Sequence, residues 1–448
     1  MIGGRPPTSS EAAVVSTLVP DQPRTFHVVT LGCPKNQVDS EKLVGTLLAD
    51  GMAPTDGPEG ADLVVVNTCA FVEEARQESV ETILDLDERK ARGAELVVTG
   101  CLAERHGTEL SAEMPEVDRV AGFGVPVTLT PKPGSGQPPP PGFDLLNLPR
   151  PAAPAPWAYV KIAEGCDRQC GFCAIPSFRG PQRSRSISDI VTEVEQLGAR
   201  EIVLVAQDLA SFGRDQGVGE RQLSELVAEV GARVDRVRLL YLYPSDLDDR
   251  LIDSVLATGV PYFDLSLQHV SPPLMRRMRR WGDGGRFLDR IEAIRARDAG
   301  AAFRSNFIVG YPGETEADHD ALLEFVEAAQ LDWCGFFSYS EEAGTYSVTL
   351  DGQVPQPLMA ERLGELTELQ DMITARKRDV LIGRVVEVLV DRSGVARSHR
   401  EAPEIDGIIE VPTHLEVGTI QGVTIVEARG PDLVAEATGR AGQEGVNQ

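Results

Sequence analysis

Short apolar runs alternate with amphipathic stretches along most of the chain. Residues 27–31 (HVVTL), 63–66 (LVVV) and 96–99 (LVVT) read as buried strands. Asp39 and Ser40 offer N-caps for a helix running to Leu48, and residues 71–92, rich in Glu and Arg, read as a long helix. Strands alternating with helices predict a parallel sheet with right-handed crossovers. After residue 157 the alternation resumes with a longer period. Strands are predicted at 158–162, 202–206, 237–241, 262–267, 303–309 and 335–339, with helices at 188–196, 222–232, 247–256, 286–297 and 316–329. Six βα units in a row predict a partial or complete βα barrel, with its chemistry at the carboxyl ends of the strands. A last long helix is expected over residues 360–377. Beyond residue 379, VVEVLVD, DGIIEV and GVTIVEA are short strand patterns between turns, the signature of a small all-β module.

From Pro126 to Pro156 the composition turns to Pro and Gly, as in an extended linker. The expected division is a disordered leader (1–24), an N-terminal parallel α/β domain (25–136), a Pro-rich linker (137–151), a central βα barrel (152–378) and the β module (379–446). A length of 448 residues agrees with roughly three domains of ~150 residues. No apolar run approaches the ~18 residues of a membrane span, and the first residues lack the charged and apolar regions of a secretory signal. A cytoplasmic protein without a membrane contact is therefore expected.

The formal charge is −26. That argues against a surface binding nucleic acid broadly by charge, and it favours a basic protein partner. Seven cysteines, an odd number, argue against a disulfide framework. Cys33, Cys69 and Cys101 each stand just past a predicted strand. In a parallel sheet all three fall at the carboxyl edge, where such sheets bind ligands. The alternative is three independent buried thiols.

Cys166, Cys170 and Cys173 crowd into EGCDRQCGFCAIP, spaced C-x3-C-x2-C, after the first barrel strand. Three thiolates on one tight loop can ligate three irons of a cubane cluster, which ordinarily takes four cysteines. With no fourth cysteine nearby, one iron is left to an exogenous chelator such as S-adenosylmethionine. A zinc ribbon would need a second C-x2-C pair, and a redox pair would leave Cys166 unexplained.

This loop, after the first strand of such a barrel, resembles the radical S-adenosylmethionine superfamily. Cys33, Cys69 and Cys101 resemble the second cluster site of its methylthiotransferase family, and the β module resembles the TRAM domain that ends those enzymes. LGCPKNQVDSE (31–41), NTCAFVEEARQES (67–79), CAIPSFRGPQRSR (173–185) and DLSLQHVSPPLMRRMRR (264–280) are similar to the branch that modifies ribosomal protein S-twelve. The tRNA-modifying branch usually carries Gln-Met where Pro34 and Lys35 stand, and Arg-Glu where Val72 and Glu73 stand. It shares all six cysteines and is the rival reading, a methylthiotransferase of tRNA adenosine.

The resemblance implies two 4Fe-4S clusters and S-adenosylmethionine. Cys166, Cys170 and Cys173 would hold the cluster that cleaves S-adenosylmethionine, and Cys33, Cys69 and Cys101 an auxiliary cluster. A hydrogen would leave the β-carbon of an aspartate of ribosomal protein S-twelve, a methylthio group would take its place, and a second S-adenosylmethionine would supply the methyl. Unactivated C–H bonds resist acid–base chemistry, so a cofactor must carry that step. Gln207 and Asp208 after the second barrel strand, Arg304 on the fifth, and Gly310, Gly313 and Glu314 after the fifth are the implied S-adenosylmethionine pocket. Thr315 there is a candidate helix cap. A reduced electron donor is implied, and a monomer is expected.

From residue 379 onward twelve acidic residues face six basic ones, leaving −6. An RNA-binding module should be basic, whereas one docking a basic ribosomal protein should be acidic. Arg276, Arg277, Arg279 and Arg280 form a basic run that could meet ribosomal RNA, although such a run is more often a solvated helix face. Cys334, at the predicted start of the sixth strand, reads as a core thiol.

Overall fold

The computed structural model describes residues 24–128, 144–217 and 222–438. The expected leader, the most Pro-rich part of the linker and the last residues of the β module lie outside them.

The first unit runs β1 (Thr25–Thr30), α1 (Pro34–Ala49), β2 (Ala53–Pro54), β3 (Leu63–Thr68), α2 (Glu73–Arg89), β4 (Glu95–Gly100), α3 (Cys101–Glu113) and β5 (Arg119–Ala121). Its sheet has the order β2-β1-β3-β4-β5, and every neighbour is parallel. All six residues of β3 are buried, which is why that strand reads as an unbroken apolar run. The helix α3 and the edge strand β5 were not expected. Both are weakly patterned, and β5 is only three residues long.

The linker is partly anchored. Leu145 and Leu146 are buried, and Lys42 of α1 donates to Leu146 O (2.7 Å) and Leu148 O (3.1 Å). Arg150 pairs with Glu41 of α1 and with Glu193.

The second unit comprises β6 (Trp157–Lys161), β7 (Ala163–Glu164), α4 (Ile175–Arg179), β8 (Arg183–Ser184), α5 (Ile187–Leu197), β9 (Glu201–Val205), α6 (Leu223–Gly231), β10 (Arg236–Leu239), α7 (Asp249–Leu256), β11 (Tyr262–Gln268), α8 (Pro272–Arg277), α9 (Gly284–Arg297), β12 (Ala302–Val309), α10 (Glu316–Ala329), β13 (Trp333–Ser338) and α11 (Gln356–Asp379). Two parallel three-stranded sheets, β10-β9-β6 and β11-β12-β13, meet through a Leu242–Leu265 bridge. The six strands therefore form an arc, and β6 and β13 stay unpaired with each other among the described residues. Local sequence sets the helix starts: Ser186 and Asp248 cap α5 and α7, and Thr315 with Asp318 forms a capping box on α10.

The third unit is a closed barrel, β14 (Val385–Arg392), β15 (Val395–Arg397), β16 (Ile409–Glu410), β17 (Ile420–Arg429) and β18 (Asp432–Ala437). Between β15 and β16 the chain leaves this barrel and enters the arc. Ala402 packs with Tyr159, Val203, Tyr262 and Trp333 on the inner face of the arc, beside Val38 of α1. Charged groups surround that apolar contact. Glu201 accepts from Arg238 Nε (2.8 Å), and Arg397 Nη1 lies 3.3 Å from it. Arg378 pairs with Glu401, and Arg304 reaches Asp406 at 3.3 Å. The open arc is thus filled by both flanking units. No helix among the described residues is long and apolar enough to cross a membrane.

Candidate functional site

The three N-terminal cysteines lie where three parallel strands end. Cys33 is the N-cap of α1, Cys69 follows β3, and Cys101 opens α3 directly after β4. Asn36 ties the three turns together. Its Nδ2 donates to Leu31 O and Thr68 O, both at 3.0 Å, and its Oδ1 lies 3.7 Å from Cys101 Sγ. Ser79 of α2 holds the Cys69 peptide from both sides, accepting from its N–H (3.1 Å) and donating to its carbonyl (2.9 Å). The packing demands glycine at two points. A Cβ on Gly32 (φ +88°) would stand 2.8 Å from Cys69 Cβ, and one on Gly100 (φ +90°) 2.2 Å from Asn67 Oδ1. A cavity of about 770 Å³ opens beside Cys33, lined also by Pro151, Pro154, Glu404 and Ile405. Cys33 is half-buried there, while Cys69 and Cys101 are buried.

The second triad sits on the loop after β6. The antiparallel β7–β8 pair closes its base. Cys166 N–H donates to Gly180 O (3.1 Å), Cys173 N–H to Cys170 O (3.1 Å), and Gly171 N–H to Met278 O (2.8 Å). Arg280 Nη1 donates to Cys170 Sγ at 3.2 Å. Arg168 Nε binds Asp208 Oδ2 at 2.6 Å, also pairs with Asp246, and stacks over Tyr243 with Arg280 on the same ring.

Burial pushes the Cys69 and Cys166 thiols up to about 11 and Cys173 up to about 12, and the charges of the neighbouring cysteines add to the effect. Burial also opposes ionisation of Cys33, but the Lys35 and Arg179 charges outweigh it and the pKa falls. Thiols close enough to raise one another's pKa are placed to share one cationic body, and iron would displace their protons on binding. No three His, Cys, Asp or Glu side chains among the described residues converge as they would around a single ion. A cubane is larger and takes each cysteine on a different iron.

Charged side chains near both triads meet across the interface of the first two units. Lys161 of β6 pairs with Asp39 of α1 and with Glu164 (2.7 Å). Arg179 binds Glu164 Oε1 (2.9 Å) and Cys101 Sγ (3.1 Å).

The expected S-adenosylmethionine pocket is only partly assembled. Gln207, two residues past β9, donates to Glu164 Oε1 at 2.6 Å, and its buried Oε1 has no partner. Asn306 on β12 likewise leaves a buried Oδ1 unpartnered. Buried polar atoms without partners, one of them on Gln207 next to Glu164 just before the cysteine loop, fit a polar ligand. Asp208 is engaged by Arg168 and by Ser211 Oγ (2.6 Å). Glu314 Oε2 accepts from Gly310 N–H (2.6 Å), its Oε1 is held by Arg362 Nη1 (2.9 Å), and Gly313 N–H donates to Gly352 O (2.7 Å). Those contacts brace the turn against α11. Arg304 departs from expectation. It lies in the amino-terminal half of β12, roughly 20 Å of strand before Gly310, and is paired with Asp264 and Asp406. It belongs to the filled interior of the arc and not to its rim.

The arginine run keeps contact with solvent: Arg276 and Arg279 are exposed, and Arg277 and Arg280 are half-buried. Arg277 is tied to Pro312 O and Asp351, Arg279 covers the Tyr346 ring, and Arg280 reaches Cys170. Cys334 packs on the barrel core, as expected of a structural thiol. Asn36, Glu164, Arg168, Arg179 and Arg280 were missed as site residues. The one available signal was position, since each lies within six residues of a cysteine or inside a quoted motif.

Comparison with known proteins agrees with this architecture. Residues 25–122 match the uncharacterized protein family UPF0004, residues 160–326 the radical SAM superfamily, and residues 382–438 the TRAM domain. The ribosomal protein uS12 methylthiotransferase RimO of Kineococcus radiotolerans is 39% identical, over 93% of this chain and 98% of its own length. The protein of the same name from Sorangium cellulosum is 40% identical over 92% of this chain and 91% of its own length. Among solved structures, the radical S-adenosylmethionine methyltransferase TsrM of Kitasatospora setae aligns with a TM-score of 0.45 at 16% identity, covering 70% of this chain and 75% of that one. A radical S-adenosylmethionine domain brings S-adenosylmethionine and a 4Fe-4S cluster. At such identity over nearly its full length, the chain belongs to the ribosomal protein uS12 methylthiotransferase family of radical S-adenosylmethionine enzymes.

Proposed function

We propose that this chain replaces the β-carbon C–H of an aspartate in ribosomal protein uS12, the small-subunit protein S-twelve, by C–SCH3. The observation that carries the reading is the likeness, along almost the whole chain, to uS12 methylthiotransferases. Cys166, Cys170 and Cys173 would hold the radical-generating cluster, and Cys33, Cys69 and Cys101 an auxiliary one. When bound, the clusters and S-adenosylmethionine supply the hydrogen-abstracting radical and the transferred sulfur and methyl. The protein's own part is to position and insulate. Gln207 and Asn306 would orient the polar cofactor with their free oxygens. Arg168, Arg280 and Tyr243 wall the cysteine loop. The cavity beside Cys33 would give the target aspartate a path to the auxiliary triad.

The C-terminal barrel would dock the basic ribosomal protein. Glu387, Glu410, Glu416, Glu427 and Glu436 are exposed on it, Glu387 being paired with Arg236. Exposed bases are fewer, and Arg429 is already paired with Glu410 and Glu427. An acidic outer face steers a basic partner and repels RNA. The enzyme would act in the cytoplasm as a monomer with a separate reduced electron donor.

The test is mass spectrometry of uS12 and of tRNA nucleosides from cells with and without the gene. Loss of the methylthio group from the protein aspartate alone supports the reading. Loss of a methylthiolated adenosine, with uS12 unchanged, sinks it in favour of the tRNA activity.

A further inference from the structure

Arg179 ends α4, the short helix that follows Cys173. Its side chain is 2% exposed. Nη2 donates to Cys101 Sγ at 3.1 Å and to Asn36 Oδ1 at 3.0 Å. Nη1 donates to Glu164 Oε1 at 2.9 Å and stands 3.5 Å from Asp39 Oδ2. The Phe123 ring covers the guanidinium at 4.2 Å. One side chain thus joins the helix after Cys33, the start of α3, and both ends of the radical-cluster loop.

A buried arginine with two carboxylate partners is electrically satisfied without a thiol. Its contact with Cys101 is therefore an additional feature. Guanidinium stays charged at any working pH, and its planar fork fixes direction as well as charge. Hydrogen bonds and positive charge at a cluster's sulfur ligands stabilise the reduced, more negative state, and so raise the reduction potential. Low dielectric around the group strengthens the effect.

We infer that Arg179 is a positioning residue for the auxiliary cluster. Its hydrogen bond to Cys101 raises that cluster's reduction potential, and its bond to Glu164 holds Cys101 in fixed relation to the loop bearing Cys166, Cys170 and Cys173. The inference rests on the assignment of an auxiliary cluster to Cys33, Cys69 and Cys101.

The experiment isolates that cluster. The full chain carrying Cys166→Ala, Cys170→Ala and Cys173→Ala is reconstituted anaerobically with iron and sulfide, and the remaining cluster is titrated by electron paramagnetic resonance. With Arg179→Gln added, the midpoint is expected to move to more negative potential at unchanged iron content. With Arg179→Lys it should fall between the two, because an ammonium keeps the charge but not the fork. An unmoved midpoint in Arg179→Gln with full iron overturns the inference and leaves the cluster assignment intact. If the background protein takes up no cluster, the assignment itself fails, and the inference with it. Should Arg179→Gln shed its iron, Arg179→Lys decides: a lowered midpoint supports the role, and a midpoint equal to the parent's overturns it.

Discussion

Among the contacts that hold the segment entering the arc is one fully buried ion pair, and breaking it carries a cost that can be worked out. Glu401 is fully buried, accepts from Ser398 N–H (2.8 Å) and Oγ (2.6 Å), and pairs with Arg378 at the end of α11. Arg378 Nε and Nη2 have no other partner. Burial alone would raise the Glu401 pKa, but Arg378 and Ser398 outweigh it and bring it from 4.5 down to about 2. A fall of about 2.5 in pKa corresponds to about 3 kcal/mol in favour of the folded state. Removing one partner of a buried pair costs a similar ~3–5 kcal/mol, because the other charge is left stranded.

Glu401→Gln should therefore lose about 3 kcal/mol at pH 7. Trp333 reports on the site, since its Nε1 donates to Arg400 O (2.6 Å) and Arg378 covers its ring. The assay is urea unfolding followed by tryptophan fluorescence. Adding Arg378→Met should recover part of the loss by removing the stranded cation. The folded pKa is below the unfolded one, so the contribution of Glu401 is present above pH 4.5 and is lost as pH falls toward 2. Glu401→Gln should lack that acid limb. Asp406 acts in the opposite sense. Burial, only partly offset by Arg304 and Tyr262, raises it to about 6, so its unfavourable contribution grows as pH rises from 3.8 to 6. Comparison at pH 7 keeps it ionised in both proteins. A loss below ~1 kcal/mol, the range of exposed pairs, would refute the reasoning, as would an unchanged acid limb.

Replacing Cys33, Cys69 and Cys101 together by Ala should halve the bound iron and abolish methylthio transfer, while reductive cleavage of S-adenosylmethionine persists; deoxyadenosine release and iron analysis check both. Gly32→Ala should cost roughly 1–3 kcal/mol by forcing a side chain into positive φ against Cys69, and thermal unfolding of the apoprotein would detect it. Glu416→Lys with Glu436→Lys should slow association with uS12 at low salt and flatten its ionic-strength dependence, as read by surface plasmon resonance. Equal rates would remove the C-terminal barrel from docking.

Sequence patterning reached the sheet and barrel strands because their outer faces are strongly apolar. It placed Cys33, Cys69 and Cys101 at strand ends, where the structure has them, because such ends in a parallel sheet are predictable positions. It did not reach the filled interior of the arc. Glu201, Arg236, Arg238, Arg397 and Glu401 carry charges that read as solvent surface, yet all are buried. Their burial depends on partners from 23 to 196 residues away along the chain, which no local pattern records. Arg304 was misplaced for the same reason. Its alternation along β12 shows only that it faces inward, not how far down the strand its partner waits. The arginine run is the opposite case: Arg276 and Arg279 are exposed, as on a solvated helix face, and only the rings of Tyr243 and Tyr346 over Arg280 and Arg279 were beyond local pattern.

The entry of residues 398–406 into the arc also imposes an order in time. Ribosomes deliver the chain from its amino terminus at about 5–20 residues per second. Every strand of the arc is therefore made before the segment that fills it. Until then Glu201, Arg236, Arg238 and Arg304 face water, and both cysteine loops hang on an unsealed frame. Iron offered to the growing chain would meet both cysteine loops at their most accessible, and completion of the last barrel would close the frame afterwards. A nascent chain halted before residue 397 should accordingly be cut by protease within the arc, where the finished protein resists.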